Sequence, residues 1–253
     1  MQTLAVIPAR LGATRLPRKP LRLLGGAPLV IRVWERVRDM RVADRVVVAT
    51  DSDEIAQAVQ ASGGEVVMTR ADHPSGTDRV AEVAARAEFA AYDAIVNVQG
   101  DEPFMPEAAV RGATDMVRDG RFPVGTAACR AEESARLAPD VVKVVCADDG
   151  RAMYFSRAPI PYLRDAADRD ALDGRVCQHL GIYAYSRRAL REWVALPVHA
   201  LERIERLEQL RPLAAGVPIG VSLVSTSPPG GVDTEDDLRR ANDQWLALHQ
   251  GHS

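Results

Sequence analysis

Along the first 120 residues the apolar positions switch repeatedly between two periods. Short β-rich runs occur at Thr3–Ile7, Arg45–Ala49, Glu65–Met68 and Ala94–Gln99. Between them apolar residues recur at helical spacing. Leu29, Val30, Val33, Trp34, Val37 and Met40 form one stripe. Ile55, Ala58 and Val59 form a second, starting at Asp51 with Glu54 three residues on as a capping-box partner. A third runs from Thr77 through Val80, Val83, Ala84 and Ala87, and a fourth follows Pro106, a residue suited to a first helical turn. This alternation predicts a largely parallel sheet with helices on both faces.

Beyond about residue 120 the pattern changes. Strand-like runs at Val124–Cys129, Val141–Ala147, Ala152–Ser156 and Leu180–Tyr185 are not separated by full helices, so antiparallel or mixed pairing is expected. Arg164–Arg175 is charged without an apolar period and reads as a surface loop. Helices are expected at about Arg187–Leu196 and Leu201–Leu210, then a strand near Ile219–Val224 and a turn at Ser227–Gly231. Thr234 can cap a last helix with the stripe Leu238, Ala241, Trp245 and Leu248. The whole reads as one α/β domain over residues 1–253, a predominantly parallel, mixed, Rossmann-like sheet with a smaller inserted lobe.

Apolar residues make up 47% and charged residues 26% of the chain, a balance that excludes a disordered tail, a collagen or a disulfide-knotted peptide. No run approaches the roughly 18 apolar residues of a membrane span, and the first residues lack the basic-then-apolar order of an export signal. Cys129, Cys146 and Cys177 are far apart and form no CxxC, against a disulfide framework or a thiolate zinc site. A cytoplasmic location is expected. A net charge of −3 gives no bulk attraction to nucleic acid or to an anionic membrane.

The distribution of charge says more. Residues 1–34 contain no acid but carry Arg10, Arg15, Arg18, Lys19, Arg22 and Arg32, a segment set up to meet a compact anion. Lysine occurs only at 19 and 143; the other basic residues are arginine.

Open parallel sheets bind ligands beyond the carboxyl ends of their strands. The loop after the first strand runs Pro8-Ala9-Arg10 to Lys19-Pro20, with four cations and one glycine. Exposed N–H groups with Arg and Lys make a polyphosphate cradle. It is neither a Walker loop nor a dinucleotide fingerprint, since GxxxxGK[ST] and GxG are both absent. After the fourth strand Gln99-Gly100-Asp101 delivers an acid to the same end, and Asp233 precedes the last helix, where an N-cap role is the ordinary alternative. Magnesium takes one or two carboxylates and completes its shell with phosphates and water, so this set fits a metal–nucleoside triphosphate. No GxSxG or HExxH occurs. His249 and His252 read as inert, His199 as lying near a helix start, and only His73 and His179 invite a chemical role.

Taken in order, these motifs resemble a known family. Pro8-Ala9-Arg10, Thr14-Arg15-Leu16-Pro17 and Lys19-Pro20-Leu21 are similar to the signature loop of sugar-acid cytidylyltransferases. Met68–His73, Ser75-Gly76-Thr77, Asn97–Pro103, Tyr154–Arg157, His179–Tyr183 and Gly231–Thr234 follow, and the set resembles the 3-deoxy-manno-octulosonate (Kdo) cytidylyltransferases over about residues 3–245. The related sialic-acid enzymes carry Ser-Lys where this chain has Thr14-Arg15. Leu11, Ala13 and Arg18 depart from a common aromatic, Ser and Gly of the family.

The resemblance implies a nucleotidyltransferase that passes CMP from CTP to Kdo and releases pyrophosphate, supplying lipopolysaccharide synthesis. It implies Mg2+ on Asp101 and Asp233, with Arg10, Arg15 and Lys19 neutralising the pyrophosphate. Pro8, Ala9, Arg70, Ser75, Gly76, Thr77 and Gln99 would complete the CTP site. The sugar acid would meet Gln99, Arg157, His179, Tyr183, Glu208 and Gln209, with His179 and Tyr183 sharing a strand face and Glu208 and Gln209 ending a helix. About residues 124–225 would hold the sugar-binding and dimerisation lobe of a cytoplasmic homodimer. The alternatives are a cytidylyltransferase for another sugar acid (sialic acid or an 8-amino Kdo analogue) and a catalytically silent nucleotide-binding regulator.

Overall fold

The computed structural model describes residues 1–12, 15–172 and 176–250. Thr14 of the signature loop, residues 173–175 of the charged loop, His252 and the side chain of His249 lie outside the described residues. The chain divides into two compact units, residues 2–107 with 228–253, and residues 108–227 with Met1. The lobe expected at about 124–225 falls within the second.

In the first unit β1 (Gln2–Ala9) leads through a short hairpin, β2 (Leu23–Leu24) and β3 (Ala27–Pro28), into α1 (Leu29–Met40). Then come β4 (Arg45–Thr50), α2 (Asp53–Ala61), β5 (Glu65–Met68), α3 (Gly76–Ala85) and β6 (Tyr92–Asn97). The four long strands pair in parallel in the order β6-β1-β4-β5, with Val6 opposite both Val47 and Asn97. Leu4, Ala5, Val6 and Ile7 have no exposed surface, as befits a strand covered on both faces. The α1 stripe predicted from spacing is buried in full, together with Ile31. From β1 the chain builds outward to β5 and then returns to β6 on the other side of β1. That reversal makes the carboxyl ends of β1 and β6 a switch point.

The second unit contains α4 (Glu107–Arg118, its first residue in the first unit), β7 (Val124–Arg130), α5 (Glu133–Leu137), β8 (Lys143–Cys146) and β9 (Ala152–Ser156). A 3-10 turn at Ala166–Leu172, with no buried residue, occupies the expected surface loop. Then follow β10 (Cys177–Ser186), α6 (Arg187–Ala195), α7 (Ala200–Glu205), α8 (Leu210–Ala214) and β11 (Ile219–Val224). Pairing is mixed as expected: β7 runs parallel to β11 and antiparallel to β10, while β8 runs antiparallel to both β10 and β9.

The last helix, α9 (Glu235–Gln250), belongs to the first unit. Thr234 caps it, its Oγ1 accepting from the Asp237 N–H at 3.2 Å. Val232, Leu238 and Ala241 pack on Leu16, Leu24 and Leu29, with Phe104 and Trp245 against the same cluster. The Arg32 guanidinium lies 4.4 Å from the centre of the Trp245 ring. The base of the cationic loop is thus held by the far end of the chain.

Three expectations are corrected. The second helix is capped by Ser52, whose Oγ accepts from the Ile55 N–H, and not by an Asp51–Glu54 box; Glu54 instead pairs with Arg18. The helix expected at 201–210 breaks into α7 and α8, because Arg206 adopts a left-handed conformation with φ 55°. Glu208 and Gln209 therefore lie in the turn ahead of α8 and end no helix. Leu248 is exposed, since the buried stripe of α9 fades after Trp245.

Candidate active site

A cavity of about 330 Å3 opens at the carboxyl ends of β1 and β6. The loop after β1 supplies Pro8, Ala9, Arg10, Arg15 and Lys19; the turn before α3 supplies His73, Ser75 and Gly76. Gln99 and Asp101 come from the loop after β6, and Asp233 from the segment before α9. Ten of the residues singled out in the sequence thus line one space. Arg70 and Thr77 do not: Arg70 is exposed and pairs with Asp72 at 3.1 Å, and Thr77 is buried in the first turn of α3.

The centre of the cavity is an ion cluster. Lys19 Nζ donates to Asp101 Oδ2 at 2.5 Å and to Asp233 Oδ1 at 2.9 Å. Arg15 Nη2 donates to Asp233 Oδ2 at 3.0 Å. Burial works against the Lys19 charge, but the two carboxylates outweigh it and raise the pKa above the usual lysine value. Glu102 lies beside the same group. Burial first, then the charges of Asp101 and Asp233, push its carboxyl up to about 8, so it is mostly protonated at neutral pH. With Glu102 neutral, the carboxylates of Asp101 and Asp233 face the two cations Lys19 and Arg15.

The local chain explains the placement. Gly100 lets the loop after β6 lie against β1, because a Cβ there would meet Pro8 O at 2.9 Å. The Val232 N–H donates to Asp101 O at 2.9 Å, tying the two acid-bearing segments together. Arg18 precedes Lys19 with φ 58°, the left-handed region in which glycine is free and a side chain is strained. The Arg18 side chain pairs with Glu54 and does not line the cavity.

Two further lining residues are His73, singled out in the sequence without an assigned role, and Arg79, which was not singled out. His73 Nε2 contacts Glu82 Oε2 at 2.6 Å. Burial opposes the Glu82 charge, yet bonds from His73, the Arg70 N–H and Arg86 bring it down to about 2. Arg79, 2% exposed, donates to Thr69 Oγ1 and lies 3.3 Å from Asp51 Oδ1. It ties the ends of β4 and β5 to α3.

In the second unit β10 carries a second constellation. An extended strand rises about 3.3 Å per residue, which would hold residues four apart out of contact. Pairing with β7 shifts register between His179 and Tyr183, around Gly181 at φ 66°, and the two ring centres lie 5.3 Å apart. Thr126 Oγ1 donates to Ile182 O at 2.6 Å and so accepts from His179 Nε2–H at 2.8 Å. His179 Nδ1 is left as an acceptor, and burial, with the imidazole pKa pushed down to about 3, keeps the ring neutral. The Tyr183 hydroxyl is buried without a hydrogen-bond partner among the described residues. Burial first, then Tyr185 and Glu208, raise its pKa well above the ordinary value. Gln209 is 5% exposed. Arg157, directly after β9, is held by Glu205: its N–H donates to Oε2 at 3.0 Å and its Nε to the Glu205 carbonyl at 2.9 Å.

Against known proteins, residues 4–219 match the cytidylyltransferase family. The chain belongs to that family. It is similar to the 3-deoxy-manno-octulosonate cytidylyltransferase of Gemmatimonas aurantiaca, with 61% identity over 253 residues, covering 100% of this chain and 98% of the relative. The enzyme of the same description from Serratia proteamaculans is 45% identical over 246 residues, covering 96% and 98%. A solved CMP:2-keto-3-deoxy-manno-octonic acid synthetase complexed with CTP superposes with a TM-score of 0.90 at 39% identity, over 98% of this chain and 100% of that one. The mostly parallel, mixed sheet expected from the hydrophobic pattern is the fold these relatives share, and the chain is an enzyme of the nucleotidyltransferase class. Among the described residues no helix is long and apolar enough to cross a membrane.

Proposed function

We propose that the chain transfers CMP from CTP to Kdo, giving CMP-Kdo and pyrophosphate. The observation that carries this reading is the cavity at the switch point, where Arg10, Arg15 and Lys19 face Asp101 and Asp233. The full-length likeness to Kdo cytidylyltransferases supports the choice of substrates.

The sugar's C2 hydroxyl attacks the α-phosphorus, and pyrophosphate leaves from the opposite side. No protein nucleophile is needed. Arg10, Arg15 and Lys19 bind the β- and γ-phosphates and stabilise the charge that develops on the leaving group. Lys19 and Arg15 already stand at the cavity wall on Asp101 and Asp233, and would turn from these carboxylates to the phosphates when the metal takes their place. Gln99, Ser75 and Gly76 suit the nucleotide side.

The donor set fits Mg2+. Two hard carboxylate oxygens, from Asp101 and Asp233, converge on one cationic centre in the form of the Lys19 ammonium. Among the described residues no group of three or more His, Cys, Asp or Glu could hold a metal, so the remaining ligands would be substrate phosphates and water. When bound, the ion supplies charge at the α-phosphate and lowers the pKa of the attacking hydroxyl.

Arg157 is suited to the sugar carboxylate. His179 Nδ1 accepts, and the Tyr183 hydroxyl can donate, toward sugar hydroxyls; Glu208, whose charge acts on the Tyr183 hydroxyl, and its neighbour Gln209 would complete the set. The enzyme works in the cytoplasm as a homodimer and supplies activated Kdo for lipopolysaccharide. Large exposed apolar side chains of the second unit, among them Met153, Tyr162 and Ile204, offer surface for a second copy.

The test is pyrophosphate release with CTP, Mg2+ and a panel of Kdo, an 8-amino Kdo analogue and sialic acid. Kdo should turn over fastest; an equal or faster rate with another acid replaces the substrate assignment. Activity should vanish on chelation of the metal. Asp101→Asn and Asp233→Asn should each nearly abolish turnover with the unfolding midpoint close to wild type. Near-wild-type turnover in either would reduce that residue to a structural acid.

A further inference from the structure

Lys143 has no part in the reaction described above, yet it is one of two lysines in the chain and has no exposed surface. It sits at the start of β8, opposite Ser156 of β9. An ammonium has three donors and no acceptor, and all three are used on carbonyl oxygens: Ala138 O at 2.8 Å, Val141 O at 2.6 Å and Arg157 O at 2.5 Å. The first two are the ends of a turn. The two carbonyls between them, Pro139 O and Asp140 O, accept from Arg157 Nη1 at 3.3 and 3.4 Å. Lys143 therefore holds the turn that holds the Arg157 guanidinium, and also grips the Arg157 backbone directly.

The other side of Arg157 is fixed by Glu205, which also accepts from Ser156 Oγ at 2.6 Å. Arg157 Nε and Nη1 are thus occupied by backbone carbonyls. Lys143 has no carboxylate among its hydrogen-bond partners, so its charge adds to that of Arg157. Burial first, then Arg157, lower the Lys143 pKa, while the Glu205 carboxylate works against them. Two cations beside one carboxylate leave a net positive charge for a further anion to meet.

We infer that Lys143 is a positioning residue for the sugar-acid site, fixing the Arg157 guanidinium and adding positive potential for the substrate carboxylate. This rests on the assignment of Arg157 to that carboxylate. The compact ammonium is required because three carbonyls approach from different directions, and a planar guanidinium cannot meet them all.

The test is a cycle of Lys143→Met, Arg157→Ala and the double variant. The readouts are KM for Kdo, KM for CTP and calorimetric CTP binding. Lys143→Met should raise the Kdo KM on the order of 10-fold and leave CTP binding unchanged. The double variant should be little worse than Arg157→Ala, because both changes remove one function. If Lys143→Met proves insoluble, Lys143→Arg, which keeps the charge but not the three-way geometry, should show the same split in milder form. A Kdo KM at the wild-type value in a folded Lys143 variant overturns the inference. Additive effects in the cycle overturn it too. If Arg157→Ala itself leaves the Kdo KM unchanged, it is the assignment of Arg157 that fails.

Discussion

Lys19 and Lys143 are the only lysines in a chain with 32 basic residues. Each is an ammonium reached by oxygens from several directions, a geometry arginine does not reproduce. Lys19→Arg should therefore lose at least ~10-fold in kcat/KM, about 1.4 kcal/mol of transition-state stabilisation. Steady-state kinetics would check this, and a fully active variant would mean that Lys19 contributes only to a diffuse field. At this scale the sequence is informative where the signal is local. An acid-free cationic loop and an acid placed directly after an apolar strand both stand out, so Lys19 and Asp101 are legible. Arg79 is not, since its partners Asp51 and Thr69 come from the ends of two other strands. His179 stands out as a candidate, but its tautomer is not legible, since Thr126, which fixes it, lies on another strand.

Helices and strands are legible where period and capping agree. The α1 stripe and the β5 and β9 runs fall where the apolar pattern puts them. What sequence cannot mark is a helix stop built on a residue that is not glycine. Arg41 and Arg206, which close α1 and α7, adopt left-handed backbone conformations with φ of 51° and 55°. Arginine carries no stop signal, so the break between α7 and α8 is invisible beforehand. The same feature makes a stability prediction. Arg41 closes α1, is exposed, and sits where a Cβ is strained. Arg41→Gly should stabilise the protein by about 1 kcal/mol, seen as a rise of roughly 2–4 °C in the thermal midpoint. Arg41→Ala, which keeps the Cβ, should give no such rise; an equal gain would place the effect elsewhere than in the backbone. The bulge at Gly181 is equally hidden: a lone glycine in a strand signals irregularity, but not that it brings His179 and Tyr183 into contact.

At the scale of the molecule the candidate residues sort by unit. Those assigned to CTP belong to residues 2–107 and 228–253; those assigned to the sugar acid, Gln99 excepted, belong to residues 108–227. The chemistry of the two groups should therefore separate in kinetics. His179→Ala and Gln209→Ala should raise the KM for Kdo far more than that for CTP, because a site built for hydroxyls depends on its own polar groups being paired. Calorimetry should find CTP binding nearly unchanged in both. Lost CTP binding with an unchanged Kdo KM would reverse the assignment. The pattern changes near residue 120; what the sequence does not mark is that the last helix belongs with the first unit, since nothing in that helix announces its partner. That return has a consequence for how the protein is made. Leu16 and Leu24, which anchor the cationic loop, are covered by Val232, Leu238 and Ala241. On the ribosome the loop emerges among the first residues and its apolar cover among the last. A nascent chain that has passed residue 224 but not yet reached residue 232 has every strand of the sheet but none of this cover, so the loop gains its anchor only after the sheet is made.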